Sequence, residues 1–318
     1  MSFYRKKIRS NTFYRSFLLL LMQWKLSDGK TSLYDVLHML WFELKIDSIT
    51  KRSGYMAFNF TLAIFPGIIF LFTLIPYIAH IIGIQDVEET IMVMLHDLMP
   101  ANMYATSAET IQDIVSKPRG GLLSFGFGFA MFMSTNAIMG MMDVFNKTTK
   151  TFENRSYIKK RVIAAVLTVA LAFIVFMAIA VIFMGTYTID ILVFYGIVPE
   201  SFYYMIVVLK YVAVILLFFL ANSLVYYYAP AVTTKWGFFS PGSIVATILI
   251  FLVSMAFSAY ITNFDSYNKF YGSIGALIGL MIWLDFISMI LLLGFEVNVS
   301  IDAAKRQNAE IASQQPVY

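Results

Sequence analysis

The chain has 318 residues, of which 59% are hydrophobic, 17% aromatic and only 13% charged. A soluble domain averages about 45–50% apolar and about 25% charged residues. This chain therefore carries more apolar side chains than a soluble core of its size can bury. The composition excludes an ordinary soluble enzyme and indicates a protein whose second solvent is lipid.

The net charge of +4 and the absence of cysteine narrow the possible functions further. Lys and Arg lie beside the apolar stretches, so we interpret the positive charge as a feature of membrane topology and expect no nucleic-acid partner. Without cysteine the chain has no disulfide, no catalytic thiolate and no cysteine-bound metal. We expect no cofactor, no metal and no catalytic residue.

Residues 1–53 are predicted to form a basic cytoplasmic region that contains one amphipathic helix. Ser32 is the predicted N-cap of this helix, because the apolar residues after it recur at helical spacing. The helix either lies in the membrane interface or packs on the inner face of the protein, and the sequence leaves both open. Its apolar positions are Leu33, Val36, Leu37, Leu40, Trp41 and Leu44.

Six apolar stretches are long enough to cross a bilayer, which takes about 20 helical residues for about 30 Å of hydrocarbon. They predict an all-α, polytopic membrane protein with a six-helix domain over residues 54–297 and a C-terminal tail over 298–318. Ser240 followed by Pro241 predicts the start of the fifth span, because serine caps a helix and proline fits its first position. The predicted spans are residues 54–83, 122–142, 162–184, 203–229, 241–262 and 274–297.

Basic residues in the flanking segments give the predicted orientation. Nineteen of the 23 Lys and Arg fall on one side of the membrane and three on the other, while Lys210 lies inside the fourth span. The positive-inside rule therefore places both termini in the cytoplasm. An even number of spans agrees with this placement.

The segment between the first two predicted spans, residues 84–120, is acidic. Helical spacing on both sides of Pro100 predicts two short amphipathic helices at the outer surface. We expect membrane lipids to be partners, and the external loop is a candidate binding site for envelope proteins. The sequence does not indicate an oligomeric state.

The first predicted span contains two prolines. Pro66, with Gly67 after it, and Pro76 remove backbone donors and are expected to break the helix. Transporters use such breaks at their substrate sites, where the freed carbonyls face a cavity. The alternative is a simple kink that relieves hydrophobic mismatch.

Three ionisable side chains lie at membrane depth, where each costs about 2.5–3.5 kcal/mol on insertion scales. Asp285 and Glu296 share one face of the sixth span, which is expected to point away from lipid. Asp285 forms either a structural hydrogen bond or a proton or cation site, and Glu296 either joins it or lies at the interface. Lys210 either extends toward the outer interface or serves a site in the fourth span.

Further polar residues are predicted at helix contacts and at an external hairpin. Asn59, Asn136 and Asn222 are expected to form hydrogen bonds between helices, each worth about 1 kcal/mol or less. The hairpin between the last two spans has a polar tip that is either a simple turn or a binding site. Its residues are Asn263, Asp265, Tyr267, Tyr271 and Gly272.

Several blocks spread over residues 30–303 match a known pattern. The most specific are NFDSYNKFYGSIGA at 263–276 and LLLGFEVN at 291–298, and further matches lie at 57–61, 134–137 and 153–159. These blocks resemble the YihY/BrkB family of bacterial inner-membrane proteins, once called ribonuclease BN. The resemblance implies a six-span protein of the bacterial cytoplasmic membrane with a link to envelope lipid transport.

The resemblance also marks individual positions, although no established chemistry comes with them. Asp285 departs from the family pattern, which more often has an aromatic or apolar residue there. A role for Asp285 would therefore be particular to this chain. The family-typical positions are Pro66, Asn136, Tyr267, Tyr271, Gly272, Gly275 and Glu296.

Three functions compete on this basis. The leading hypothesis is transport or flipping of a lipid or amphipathic solute of the cell envelope. The alternative is a non-catalytic scaffold that binds envelope-assembly partners through the loop at 84–120. Ribonuclease activity is disfavoured, because metal-dependent hydrolysis needs clustered histidines and carboxylates and this chain has only three scattered histidines.

Overall fold

A computed structural model describes most of the chain. The described segments are residues 19–26, 31–46, 49–82, 120–147, 155–194, 200–232, 236–263 and 265–314, together with a few positions between 89 and 113. The acidic loop predicted at 84–120 lies almost wholly outside them, so its two predicted helices stay a prediction.

The first helix, α1 (Leu33–Ile46), begins where the sequence predicts. The hydroxyl of Ser32 accepts a hydrogen bond from the backbone N–H of Asp35 (3.2 Å), and the Asp35 carboxylate accepts one from the backbone N–H of Ser32 (3.0 Å). This reciprocal pair satisfies two backbone donors that a helix start leaves free.

Six long helices follow, and within the described residues these six are long and apolar enough to cross a membrane. The prediction of an all-helical protein with six spans is confirmed. The placement of both termini in the cytoplasm stays a prediction. The helices are α2 (Ile49–Ile82), α3 (Gly120–Asn146), α4 (Tyr157–Phe194), α5 (Glu200–Tyr228), α6 (Pro241–Asn263) and α7 (Asp265–Gln314).

The six spans form a ring in chain order. Each helix from α2 to α6 packs against the next, and α7 closes the ring by packing on both α6 and α2. Helix α1 packs on α7 outside the ring. We call the end at which α2 begins and α3 ends the basic end, because the basic loops flank it, and the opposite end the far end.

The backbone of α2 differs from the prediction of a broken span. It is helical without interruption through Pro66, Gly67 and Pro76, so the expected breaks are not present. Proline is tolerated inside a transmembrane helix when neighbouring helices or hydroxyl groups compensate for the disturbed backbone. Pro66 is buried against the rest of the ring, and no substrate site is formed by a break in α2.

A close contact joins α6 to α7. A Cβ on Gly242 would overlap the carbonyl oxygen of Gly294 and lie 2.7 Å from the Asn298 side chain, and one on Gly294 would lie 2.5 Å from the Tyr226 hydroxyl. Asn298 completes the contact by accepting from the N–H of Gly242 (2.8 Å) and donating to the Ser240 hydroxyl (2.9 Å). Only glycine allows two backbones to approach this closely.

Substituting Gly242→Ala should therefore destabilise the protein by about 1–3 kcal/mol, because the added methyl group meets backbone that cannot move aside. The measurement is thermal unfolding of the purified protein in detergent. Gly128→Ala is the matched control, since a Cβ there has nothing within 4 Å. Equal melting temperatures for the two variants would contradict the close contact.

Candidate functional site

A buried ion pair joins α2 to α7 at the basic end. A guanidinium nitrogen of Arg52 lies 3.3 Å from the Glu296 carboxylate, and a second donates to the Val144 carbonyl of α3 at 2.7 Å. Glu296 is 1% exposed and Arg52 9% exposed. Because an isolated buried charge is very costly, each group depends on the other to remain in the packed interior.

The residue next to Arg52 contacts the second acidic group of α7. The Ser53 hydroxyl is fully buried and donates to the Asp285 carboxylate at 3.1 Å. Consecutive residues of α2 thus hold two carboxylates that lie about three turns apart on α7. Both predicted acids lie toward α2 at these contacts, and Asp285 takes part in a hydrogen bond between helices.

Aromatic side chains close the centre of the ring beside the ion pair. The rings of Phe145 and Phe295 are stacked with centroids 4.4 Å apart, and Trp236 meets Phe295 edge-on at 5.5 Å. Tyr226 packs on Phe145 and donates to the Leu291 carbonyl at 2.8 Å. The ion pair and these rings together form what we call the basic-end junction: Arg52, Ser53, Phe145, Tyr226, Trp236, Asp285, Phe295 and Glu296.

The basic loop before α4 is attached to neighbouring helices. Arg155 donates to the last carbonyls of α5 and its continuation, at 2.6–3.2 Å, where a helix end leaves acceptors free. Lys160 pairs with Asp143, and Arg161 donates to Asn136 and stacks on a phenylalanine ring of α3. The carbonyls bound by Arg155 are those of Tyr228, Ala229 and Pro230.

The three predicted asparagines have different surroundings. Asn136 accepts from Arg161 of α4, and Asn222 donates to Thr247 of α6 at 2.9 Å, so both form bonds between helices. Asn59 instead donates to the carbonyl of Tyr55 in its own helix at 2.8 Å. The expectation of an interhelical hydrogen bond from Asn59 is therefore corrected: its side chain packs against Gly140 of α3, and the amide is satisfied within α2.

Other predicted site residues lie away from the junction. Lys210 is in the far half of α5, partly exposed, with its ammonium 5.3 Å from the ring centroid of Tyr211. The hairpin residues belong to the end of α6 and the beginning of α7, but their side chains lie outside the described part of the chain. The same holds for the side chain of Pro76. These hairpin residues are Asn263, Asp265, Tyr267, Tyr271 and Gly272.

Packing differs between the two halves of α5 and of α6. The buried residues of α5 lie between 222 and 226, and those of α6 between 242 and 247, all near the basic end. Over residues 203–218, α5 has no buried position among those described, and Tyr204 is 75% exposed. Exposed apolar side chains there cover a wide arc of the helix: Tyr203, Tyr204, Met205, Val208, Leu209, Tyr211, Val212, Leu216 and Phe218.

Sequence reasoning missed the α2 side of this site. Arg52 and Ser53 were counted only within the basic N-terminal region, because Arg52 reads as one more topology charge. The one usable indication was that Glu296 and Asp285, placed inward, each need a partner from another helix.

Within the described residues, no group of three or more His, Asp or Glu side chains could hold a metal ion.

Comparison with known proteins places the chain among membrane proteins. A family model described as virulence factor BrkB matches residues 40–317. The ribonuclease-like protein YfkH of Bacillus subtilis (strain 168) is 28% identical over 256 residues, which cover 80% of this chain and 91% of that protein. No solved structure matches the chain.

Further relatives carry the name UPF0761 membrane protein. One from Psychromonas ingrahamii is 24% identical over 280 residues, or 87% of this chain and 91% of its own. One from Stenotrophomonas maltophilia (strain K279a) is 33% identical over a local stretch of 82 residues, or 26% of this chain and 19% of its own. Full-length and local matches therefore both lead to bacterial membrane proteins.

Removing one member of the ion pair should cost more than removing both. Arg52→Met or Glu296→Met alone leaves a buried charge without its partner and should destabilise by about 3–5 kcal/mol, whereas the double variant should recover most of that loss. Thermal unfolding in lipid nanodiscs measures the difference.

The matched control is the exposed pair of Arg306 and Asp302 one turn apart on α7, at 3.7 Å. Arg306→Met should change stability by less than about 1 kcal/mol, because water screens an exposed pair. Additive losses in the Arg52/Glu296 double variant would show that the two side chains do not depend on each other.

Proposed function

This chain belongs to the virulence factor BrkB family of multi-pass membrane proteins, and from that premise we propose that it moves a lipid or an amphipathic solute of the cell envelope across the membrane. In this proposal the path runs within the ring of six helices, and the basic-end junction closes it at one end. The transported molecule would enter from the far end and leave after the junction opens.

The observation that carries this proposal is the contrast between the two halves of α5 and α6. At the basic end, aromatic rings and a buried ion pair fill the space between α2, α3, α5 and α7. Toward the far end, the described residues of α5 and α6 leave apolar side chains exposed over wide arcs. Such a surface suits acyl chains, whether of the bilayer or of a transported lipid, because apolar side chains leave no polar group unsatisfied in hydrocarbon.

The junction combines a buried ion pair with the hydrophobic core of the basic end, and in this proposal it acts as a gate. A pair of apolar residues would hold α2 and α7 together without the cost of desolvating charges. An ion pair, by contrast, can exchange its partner for water or for a polar headgroup when the helices separate. This chemistry fits a molecule that has both an apolar part and a polar or charged part.

We do not extend ribonuclease activity to this chain from the name of its Bacillus relative. Three of the basic residues that could be taken for a nucleic-acid surface have partners within the protein: Arg155 binds helix carbonyls, Lys160 pairs with Asp143, and Arg161 binds Asn136. The scaffold alternative stays a prediction, since the acidic loop on which it depends lies outside the described residues.

Reconstitution in liposomes tests the proposal. Glu296→Gln keeps the volume of the side chain but removes the charge, so the junction should open more often and lipid scrambling, followed as dithionite reduction of a fluorescent lipid, should rise by about threefold or more. Asp302→Asn is the control, because its carboxylate pairs with Arg306 outside the junction. It should leave the rate at the wild-type value.

Two outcomes would contradict transport. One is scrambling and solute flux that stay at the protein-free background for wild type and for Glu296→Gln, with both proteins shown to be folded by their thermal transitions. The other is an equal change in rate for Glu296→Gln and Asp302→Asn, which would separate the flux from the junction.

A further inference from the structure

Helix α1 has an exposed apolar face that the ring of spans does not cover. Leu37, Trp41 and Phe42 lie on one side of the helix, and Trp41 is 63% exposed. Of the predicted apolar stripe, Val36 is buried, while Leu33, Leu40 and Leu44 are partly covered. One side of α1 therefore packs on the protein. The other side is exposed, and for it the interpretation of a helix in the membrane interface stays a prediction.

The packed side fixes the orientation of α1. Val36 is buried where α1 meets α7. Asn308 of α7 lies 3.4 Å from both the Thr31 hydroxyl and the Asp35 carboxylate at the beginning of α1. The exposed face is therefore held away from α7.

The short segment before α1 extends this face. Backbone hydrogen bonds from Leu26 to Thr31 (2.8 Å) and from Leu33 to Trp24 (2.8 Å) hold the segment against the start of α1. Trp24 is 65% exposed, and its neighbour Lys25 is exposed too. We define the α1 face as the exposed apolar residues of both pieces: Leu19, Leu20, Trp24, Leu37, Trp41 and Phe42.

The α1 face is continuous with the surface of a membrane span. Only residues 47 and 48 separate α1 from α2, and α2 soon exposes Tyr55 and Phe58 on its outer surface. Lys51 is exposed between these two apolar surfaces. Tryptophan and phenylalanine beside lysine are typical of a helix that lies in the headgroup region, where the rings enter the acyl boundary and the ammonium groups meet phosphates.

We propose that the α1 face is a docking surface for the bilayer at the basic end, and that it takes anionic phospholipids. Apart from the buried Arg52, residues 1–53 contain nine Lys and Arg against four Asp and Glu, which gives the charge complementarity that such lipids require. The docked helix is joined to α2, which carries Arg52, and packed on α7, which carries Glu296. Lipids that hold α1 thus act on both helices of the ion pair.

The absence of cysteine from the chain permits a direct test with single spin labels. Trp41→Cys and Phe42→Cys are labelled with a nitroxide in the full-length protein, which is reconstituted in vesicles of phosphatidylcholine with an equal part of phosphatidylglycerol. Gln307→Cys, at an exposed polar position of α7, is the water-facing control, and Phe58→Cys is the lipid-facing control. Accessibility to oxygen and to a water-soluble nickel chelate gives the depth of each label.

Labels at 41 and 42 should favour oxygen over nickel by about threefold or more relative to the label at 307, because the headgroup boundary excludes the chelate. In vesicles of phosphatidylcholine alone, that ratio should fall toward the value at 307. Two substituted positions are used because both are exposed, so one poorly folded variant does not decide the result.

Three outcomes would overturn the proposal. Nickel accessibility at 41 and 42 equal to that at 307 in both lipids would leave the face in water. An unchanged depth in neutral vesicles would remove the anionic requirement. Spin–spin broadening would assign the face to a second copy of the chain. These measurements do not depend on transport activity, so they test the docking proposal separately from the transport proposal.

Discussion

The arrangement of the spans depends on the buried contact between Arg52 and Glu296. A guanidinium and a carboxylate inside a lipid-solvated bundle exclude most other positions for α2 and α7, since any shift that separates them leaves two charges without solvent. The Val144 carbonyl extends this constraint to α3. The aromatic rings then fill the space between the three helices. The polar contact thus sets how the helices are placed relative to one another, and the rings supply most of the buried contact area.

Helix association in lipid has no general hydrophobic driving force, because the surrounding chains are as apolar as the side chains. The described structure accordingly relies on a few polar contacts and close approaches between spans. Among them are the ion pair, the bond from Asn222 to Thr247, the Arg155 cap and the backbone contact at Gly242. Basic residues that orient a chain during insertion are used a second time here, as donors to helix ends.

Much of the fold could be predicted because apolar length is a local property, and all six spans lie close to their predicted positions. Contacts between distant residues were not predictable in the same way. Glu296 and Asp285 were placed inward from their cost in lipid, but nothing local in the sequence identifies Arg52 and Ser53 as their partners. The predicted break of α2 at its prolines was wrong for a related reason. The effect of a proline on the backbone depends on neighbouring helices, which a single stretch of sequence does not show.

Helix α7 has 50 residues, so it is about 75 Å long, more than twice the thickness of the hydrocarbon layer. A rod of that length turns small angles into large displacements: a tilt of about 5° about one end moves the other by about 6 Å. Glu296 lies part-way along this rod, and Asn308 lies near the end that meets α1. If α7 tilts as one rod, a small rotation in the ring becomes a large displacement where the helix meets α1.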